Sequence, residues 1–373
     1  MIPLNDLKDR QTVGLTGFLP IKAIQAALNP ALLTRGSILA LGTLLALVFF
    51  ASGRAAAQAV QTPQHAPAAQ TVQAAPGLAA DDVVFRDLDW FDATRKRAVP
   101  VRLYLPGGTR GTRALPLVVF SHGIGGSRRG YSYLGRYWAS QGYASLHLQH
   151  VGSDRSLWAG NVLGLVGRLH DAAQEDEAIA RVGDLHFALD QILTGAEPGV
   201  TIDVARIIAA GHSYGANTIM LAAGARVERA GRVLDLYDAR LKAAILLSAP
   251  PFYGEADAAK ILAGIKVPTL HITATEDVIR IPGYFSGAAD RIAVFEAMSG
   301  AKKTLAVFEG GSHSMFTDRG SSGGATLNPQ VKAATRELAL AFMDSVFNRN
   351  DAGLKSWPAR FAGILARFTS SER

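Results

Sequence analysis

Six short, mainly apolar runs recur along the middle of the chain, over 117–120, 144–148, 207–210, 243–247, 269–273 and 305–308. Each is too short for a helix, and 117–120, 207–210, 243–247 and 305–308 lack the alternation of a half-exposed strand. Each therefore predicts a strand buried on both faces of a parallel sheet. Segments with helical periodicity separate them, at 134–140, 176–193, 216–225 and 331–347. This alternation predicts a mostly parallel central sheet with helices on both faces. Ahead of the first run, 83–85 and 99–105 flank the charged stretch 92–97, which predicts an antiparallel hairpin opening the domain. In such sheets functional groups gather beyond the carboxyl ends of the strands.

The two ends of the chain follow other patterns. Residues 38–51, ILALGTLLALVFFA, form an uncharged run shorter than the roughly 20 residues that a spanning helix needs. Mostly basic charges precede it and Ala55 and Ala57 follow it. Residues 1–57 thus read as a signal peptide cut after Ala57 or, given so long a leader, as an uncleaved anchor held by 38–51. Both readings expect a periplasmic or secreted catalytic part. Residues 58–80, mainly Ala, Gln, Pro, Val and Thr, read as a linker, which leaves 81–350 for the catalytic domain. Over 351–373, Leu354, Trp357, Phe361, Ile364, Leu365 and Phe368 recur at helical spacing among Lys355, Arg360 and Arg367. That spacing predicts one amphipathic helix, docked on the domain or resting on a membrane surface.

Composition narrows the chemistry. With 49% hydrophobic and 18% charged residues in 373, the chain can bury a large core. It has no cysteine, which excludes a disulfide framework, a thiolate zinc site and a thiol nucleophile. Five basic and two acidic side chains in the first 57 residues account for three of the seven net positive charges. The +4 that remains is too mild to suggest a nucleic-acid partner. His147 and His150 form an H-x-x-H, but no acidic or third His partner stands at ligand spacing, so no metal and no cofactor is expected.

The run ending at Ala210 leads directly into Gly211-His212-Ser213-Tyr214-Gly215, and a helical pattern starts at Ala216. This is G-x-S-x-G between strand and helix, the nucleophile elbow, in which Gly211 and Gly215 permit a turn that lifts the Ser213 hydroxyl over the sheet. A serine nucleophile needs a base, and only His271 and His313 follow Ser213. His271 lies inside an apolar run and reads as a core residue, whereas His313 lies in the loop past the last strand. The acid should follow the strand between them, where Glu276 and Asp277 are adjacent and Asp290 is a further rival. The loop after 117–120 begins His122-Gly123-Ile124-Gly125-Gly126, and its glycines allow close backbone approach to a substrate. Read as a dinucleotide loop it fails, because the third glycine of G-x-G-x-x-G would fall on Arg128. His122 and His212 are expected to support these loops rather than transfer protons.

The elbow G-H-S-Y-G-A, the upstream F-S-H-G-I-G-G-S (120–127) and the later E-G-G-S-H-S-M-F (309–316) resemble α/β-hydrolases. Within them the chain resembles bacterial proteins called predicted dienelactone hydrolases, which are related to platelet-activating-factor acetylhydrolases. The resemblance spans about 82–347 and implies an α/β-hydrolase fold, with Ser213, Asp277 and His313 as the triad. It also implies an oxyanion hole from the backbone N–H groups of Ile124 and Tyr214. True dienelactone hydrolases use cysteine where this chain has Ser213, which favours a small-molecule ester over a lactone as substrate. The expected function is a serine esterase of the carboxylesterase or acetylhydrolase type. The same triad also serves acyl transfer or amide hydrolysis, and a non-catalytic binding protein on a hydrolase fold is the alternative from another class.

Overall fold

The computed structural model describes residues 83–371 except 109–112, 162, 230, 253, 255–256, 282–283, 300–301 and 320–323. The signal peptide or anchor and the linker expected over 1–80 lie outside the described residues.

Strands β1 (Val83–Asp92) and β2 (Arg97–Pro106) form the expected opening hairpin, paired antiparallel. The apolar runs become β3 (Leu115–Ser121), β4 (Ala144–Leu148), the later half of β5 (Ile202–His212), and, after a small hairpin of β6 (Arg226–Arg229) and β7 (Arg232–Asp235), β8 (Ala243–Leu247). Next come β9 (Thr269–Glu276), a second small hairpin of β10 (Ile279–Ile281) and β11 (Tyr284–Ser286), and β12 (Lys303–Ser312); β13 (Leu365–Ser370) ends the series. Nine strands make one sheet in the order β1-β2-β4-β3-β5-β8-β9-β12-β13. From β4 to β12 every neighbouring pair is parallel.

Successive residues of an inner strand explain the apolar runs. Leu117 and Val119 enter one core layer, while Val118 and Phe120 enter the other. The first layer is closed by α3 (Glu175–Leu193), α4 (Tyr214–Ala222), α5 (Ala258–Leu262) and α6 (Ala288–Ala297). The second is closed by α1 (Ser132–Ser140), α7 (Gly324–Asn348) and α8 (Ala352–Arg360). Burying one large aliphatic or aromatic side chain contributes about 1.5–3 kcal/mol, so the two layers together are a main contribution against the chain's ordering entropy. Helix α2 (Leu165–Ala172) sits in the insertion between β4 and α3. Among the described residues no helix is long and apolar enough to cross a membrane.

The end of the chain departs from expectation. The single helix predicted over 351–373 is helical only to Arg360, passes through a 3₁₀ turn at Ala362–Ile364, and becomes strand β13. The cause is non-local: β12 offers an unpaired edge, and β13 fills it antiparallel, Thr304 opposite Ser370 through Val307 opposite Arg367. Trp357 stays buried, with Phe361 and Phe368 at ring-centroid distances of 5.2 Å and 5.6 Å. The aromatic face that mimicked a helical stripe is therefore real, but two kinds of element share it.

Candidate active site

Strand β5 ends at His212, α4 begins at Tyr214, and Ser213 alone makes the turn between them. Its φ of 55° and ψ of −122° are rare for an L-residue and cost about 1–3 kcal/mol, which the surrounding structure must offset. The glycines make the turn possible. A Cβ on Gly215 would strike the Ser121 carbonyl of β3, and one on Gly211 would strike the Gly215 carbonyl.

Two further strands bring the partners. His313 follows β12 after the pairing with β9 shifts register between Phe308 and Ser312. Its Nε2 lies 2.9 Å from Ser213 Oγ, placed to accept the hydroxyl proton. Its Nδ1 donates to Asp277 Oδ1 at 2.8 Å. The structure separates the neighbouring carboxylates: Asp277 is fully buried while Glu276 is exposed. Asp290 caps helix α6, accepting from the Gly287 amide at 2.9 Å. Burial alone would push the Asp277 carboxyl up. The His313 ring, the Arg291 guanidinium 3.6 Å away and the Ser248 hydroxyl outweigh it and hold the carboxyl well below the usual range. His271 is a core residue, its Nε2 3.2 Å from Thr269 Oγ1 and its ring edge-on to Phe295.

The loop after β3 runs beside the elbow. Gly123 approaches so closely that a Cβ there would lie 3.2 Å from Ser213 Cβ. Gly125 takes φ of +70°, and its amide donates to the Ser153 carbonyl at 2.8 Å. The amides of Ile124 and Tyr214, the expected oxyanion donors, find no acceptor among the described residues, so each remains available to a ligand. His122 and His212 act on these loops. His122 Nδ1 donates to the Gly123 carbonyl at 2.7 Å, and its Nε2 accepts from the His150 amide at 3.1 Å. His212 Nε2 donates to the His313 carbonyl at 3.0 Å, and its Nδ1 accepts from the Tyr131 hydroxyl at 2.8 Å. Tyr131 in turn accepts from the Gly123 amide at 3.3 Å, so one chain of hydrogen bonds links the loop carrying His313 to the loop after β3.

Residues 97–164 match the sequence model of a family described as platelet-activating factor acetylhydrolase, isoform II. That segment holds β2 to β4 and the loop after β3, well under half of the chain. Among the curated proteins none matches. Among solved structures, a ferulic acid esterase from Streptomyces cinnamoneus is 22% identical with a TM-score of 0.55, covering 80% of this chain and 98% of that one. The chain has the α/β-hydrolase fold. The likeness to acetylhydrolases read from the motifs holds over the first of them, F-S-H-G-I-G-G-S at 120–127.

The site on this α/β-hydrolase fold also contains side chains that the motifs did not reveal. Ser248, just past β8, donates to Asp277 Oδ2 and lies 2.7 Å from His313 Nδ1, so it bridges acid and base. It takes φ of 53°, as unusual as that of Ser213. Thr273 donates to the same carboxylate oxygen at 2.7 Å. His147 and His150 are held separately: His147 against the Gly130 carbonyl and Ser145 Oγ, His150 between Ser121 Oγ and Asp184. In the insertion, Trp158 lies over the loop after β3 and donates to the Gly125 carbonyl at 2.8 Å, while Leu163 and Val166 face solvent.

Proposed function

We propose that this protein hydrolyses carboxylic esters through an acyl-enzyme on Ser213. The supporting observation is the continuous relay from Ser213 Oγ through both nitrogens of His313 to Asp277, at 2.9 Å and 2.8 Å, on an elbow strained as such elbows are. Ser213 Oγ attacks the carbonyl carbon as its proton passes to His313 Nε2, and the amides of Ile124 and Tyr214 hold the oxyanion. The intermediate collapses, the leaving alkoxide takes the proton from His313, and the acyl group stays on Ser213. Water then gives a proton to His313 and attacks the acyl carbon. The acid leaves and Ser213 regains its proton. Asp277 stays ionised throughout and stabilises the imidazolium. The names of the similar proteins, an acetylhydrolase family and a ferulic acid esterase, agree with this class of reaction.

A fluorophosphonate should label the wild-type protein at Ser213. Among nitrophenyl esters from acetate to palmitate, rates should be highest at the short end, because the insertion between β4 and α3 is small for the lid of an interfacial lipase. A maximum at palmitate, rising sharply above the micellar threshold, would refute the short-acyl part. No labelling and no turnover of any ester would refute the whole.

The acid has its own test. Asp277→Asn should lower kcat by about 10⁴, the size of the same change in a serine protease. Glu276→Gln should stay within about threefold of wild type, as expected for an exposed charge outside the relay. Steady-state kinetics that reversed this order would move the acid to Glu276.

A further inference from the structure

One buried guanidinium reaches the elements that frame the oxyanion hole. Arg181, in the first half of α3, is fully buried. Its Nε donates to Thr218 Oγ1 at 2.9 Å and its Nη1 to Ser153 Oγ at 2.7 Å. Its Nη2 donates to Ser121 Oγ at 3.0 Å and, by a very short contact, to the His122 carbonyl. Its Cζ stands 4.5 Å from the centroid of the Tyr214 ring. Ser121 and His122 lead into Ile124, and Ser153 belongs to the segment whose carbonyl holds the Gly125 amide. Thr218 lies one turn into α4 and donates to the Tyr214 carbonyl at 3.1 Å. The two donors of the hole come from separate parts of the chain, and Arg181 bonds to a neighbour of each, the His122 carbonyl ahead of Ile124 and Thr218 one turn after Tyr214.

The charge of Arg181 is as unusual as its reach. Every acceptor just named is a neutral hydroxyl or carbonyl, and no carboxylate of the described residues stands within ion-pair distance. The nearby acids are engaged elsewhere: Asp184 with Arg95, Arg97 and His150, and Glu177 with Arg97 and Ser153. Glu177 and Asp184 act on Arg181 only from a distance, Glu177 through the shared Ser153 hydroxyl, and a buried cation with no carboxylate in direct contact is costly to fold. Burial pulls its pKa down to about 10, so it stays protonated at neutral pH. The tetrahedral oxyanion is the negative charge that would complete this environment, formed only in the transition state and in a dry, fixed setting.

We propose that Arg181 is a positioning residue of the oxyanion hole, aligning the Ile124 and Tyr214 amides and supplying positive potential behind them. The proposal rests on the esterase reading given above. It is tested by Arg181→Met, which removes charge and fork, and Arg181→Lys, which keeps the charge alone. The readouts are kcat, KM, thermal unfolding, and inhibition by a trifluoromethyl ketone, whose adduct with Ser213 carries an oxyanion, beside inhibition by the product alcohol, which carries none. Arg181→Met should lower kcat by about 10²-fold, the order of losing one oxyanion donor. KM and alcohol inhibition should stay within about threefold, while the ketone weakens in proportion to kcat. Arg181→Lys should recover part of both losses. A folded Arg181→Met with wild-type kcat, or one whose ketone inhibition does not follow kcat, overturns the proposal. If that variant fails to fold, Ser121→Ala and Thr218→Val each remove one acceptor of the guanidinium. A several-fold loss of kcat at constant KM in either supports the proposal, and unchanged kcat in both overturns it. Failure of the parent reading is distinct, since the wild type would then neither turn over esters nor accept the fluorophosphonate.

Discussion

Replacing Ser213 by alanine is expected to abolish ester hydrolysis, with kcat/KM falling by about 10⁶, as it does when a complete serine relay is broken in another hydrolase. His313→Ala should give a loss of the same order, because among the described residues the side-chain partner of Ser213 Oγ is His313 Nε2 at 2.9 Å. The double variant should match either single one, since nucleophile and base act as one unit and their losses do not add. The residual rate, set by the oxyanion amides and substrate binding alone, should stay above that in water. The measurement is steady-state turnover of a nitrophenyl ester, with unfolding curves to establish that each variant is folded. Retention of more than a few per cent by Ser213→Ala would remove the elbow serine from the mechanism. A double variant far slower than both singles would mean that the two residues act in separate steps.

The second large effect is on stability. Five histidines, His122, His147, His150, His212 and His271, are buried. Burial holds His147, His212 and His271 down to about 3, and His122 and His150 well below their ordinary value of 6.5. The folded protein therefore keeps these rings neutral over a range where the unfolded chain protonates them. Below pH 6.5 the unfolded state binds more protons, so stability must fall as pH falls. Each ring contributes at most about 1.4 kcal/mol per pH unit, and five together about 7 kcal/mol per unit. Against a total of roughly 5–15 kcal/mol for an ordinary domain, the fold should be lost within about two units below pH 6.5. The slope depends on the number of neutral rings and not on the size of any one shift. Asp277, held low, works in the same direction only below the ordinary carboxylate range. Chemical denaturation at a series of pH values from 8 to 4.5 tests this. Stability that stayed flat between pH 7 and 5 would mean that the folded protein protonates these rings as readily as the unfolded chain does.

What the sequence made legible was whatever depends on neighbours along the chain. The inner strands are legible because burial on both faces leaves few polar positions in the run, and none at 117–120. The elbow is legible because its glycines and serine are contiguous. His313 followed from chain order, since His271 was embedded in an apolar run. The acid was open between adjacent carboxylates until β9 turned one outward and one inward. Side chains joined only by the fold were not legible. Ser248 reaches Asp277 because β8 and β9 are sheet neighbours, and a serine after an apolar run carries no mark of that. Arg181 looks like an ordinary helix-surface charge, and only the packing of α3 beneath the loop after β3 makes it a buried hub. The last strand was misread for a related reason. Phe361, Ile364 and Phe368 do face the core, but the open edge of β12 decides that Leu365–Ser370 pairs as a strand.

The placement of Trp158 gives the molecule an optical contrast of its own. Of the four tryptophans, Trp138 and Trp357 are sealed in the core and Trp90 is half covered, while Trp158 is 43% exposed with its indole N–H on the carbonyl of Gly125. An aqueous collisional quencher therefore meets mainly the fluorophore that lies on the loop after β3. Its emission is a local signal, against a background of buried rings, for whatever shields or displaces that loop, so occupancy can be followed by light without any chromogenic ester.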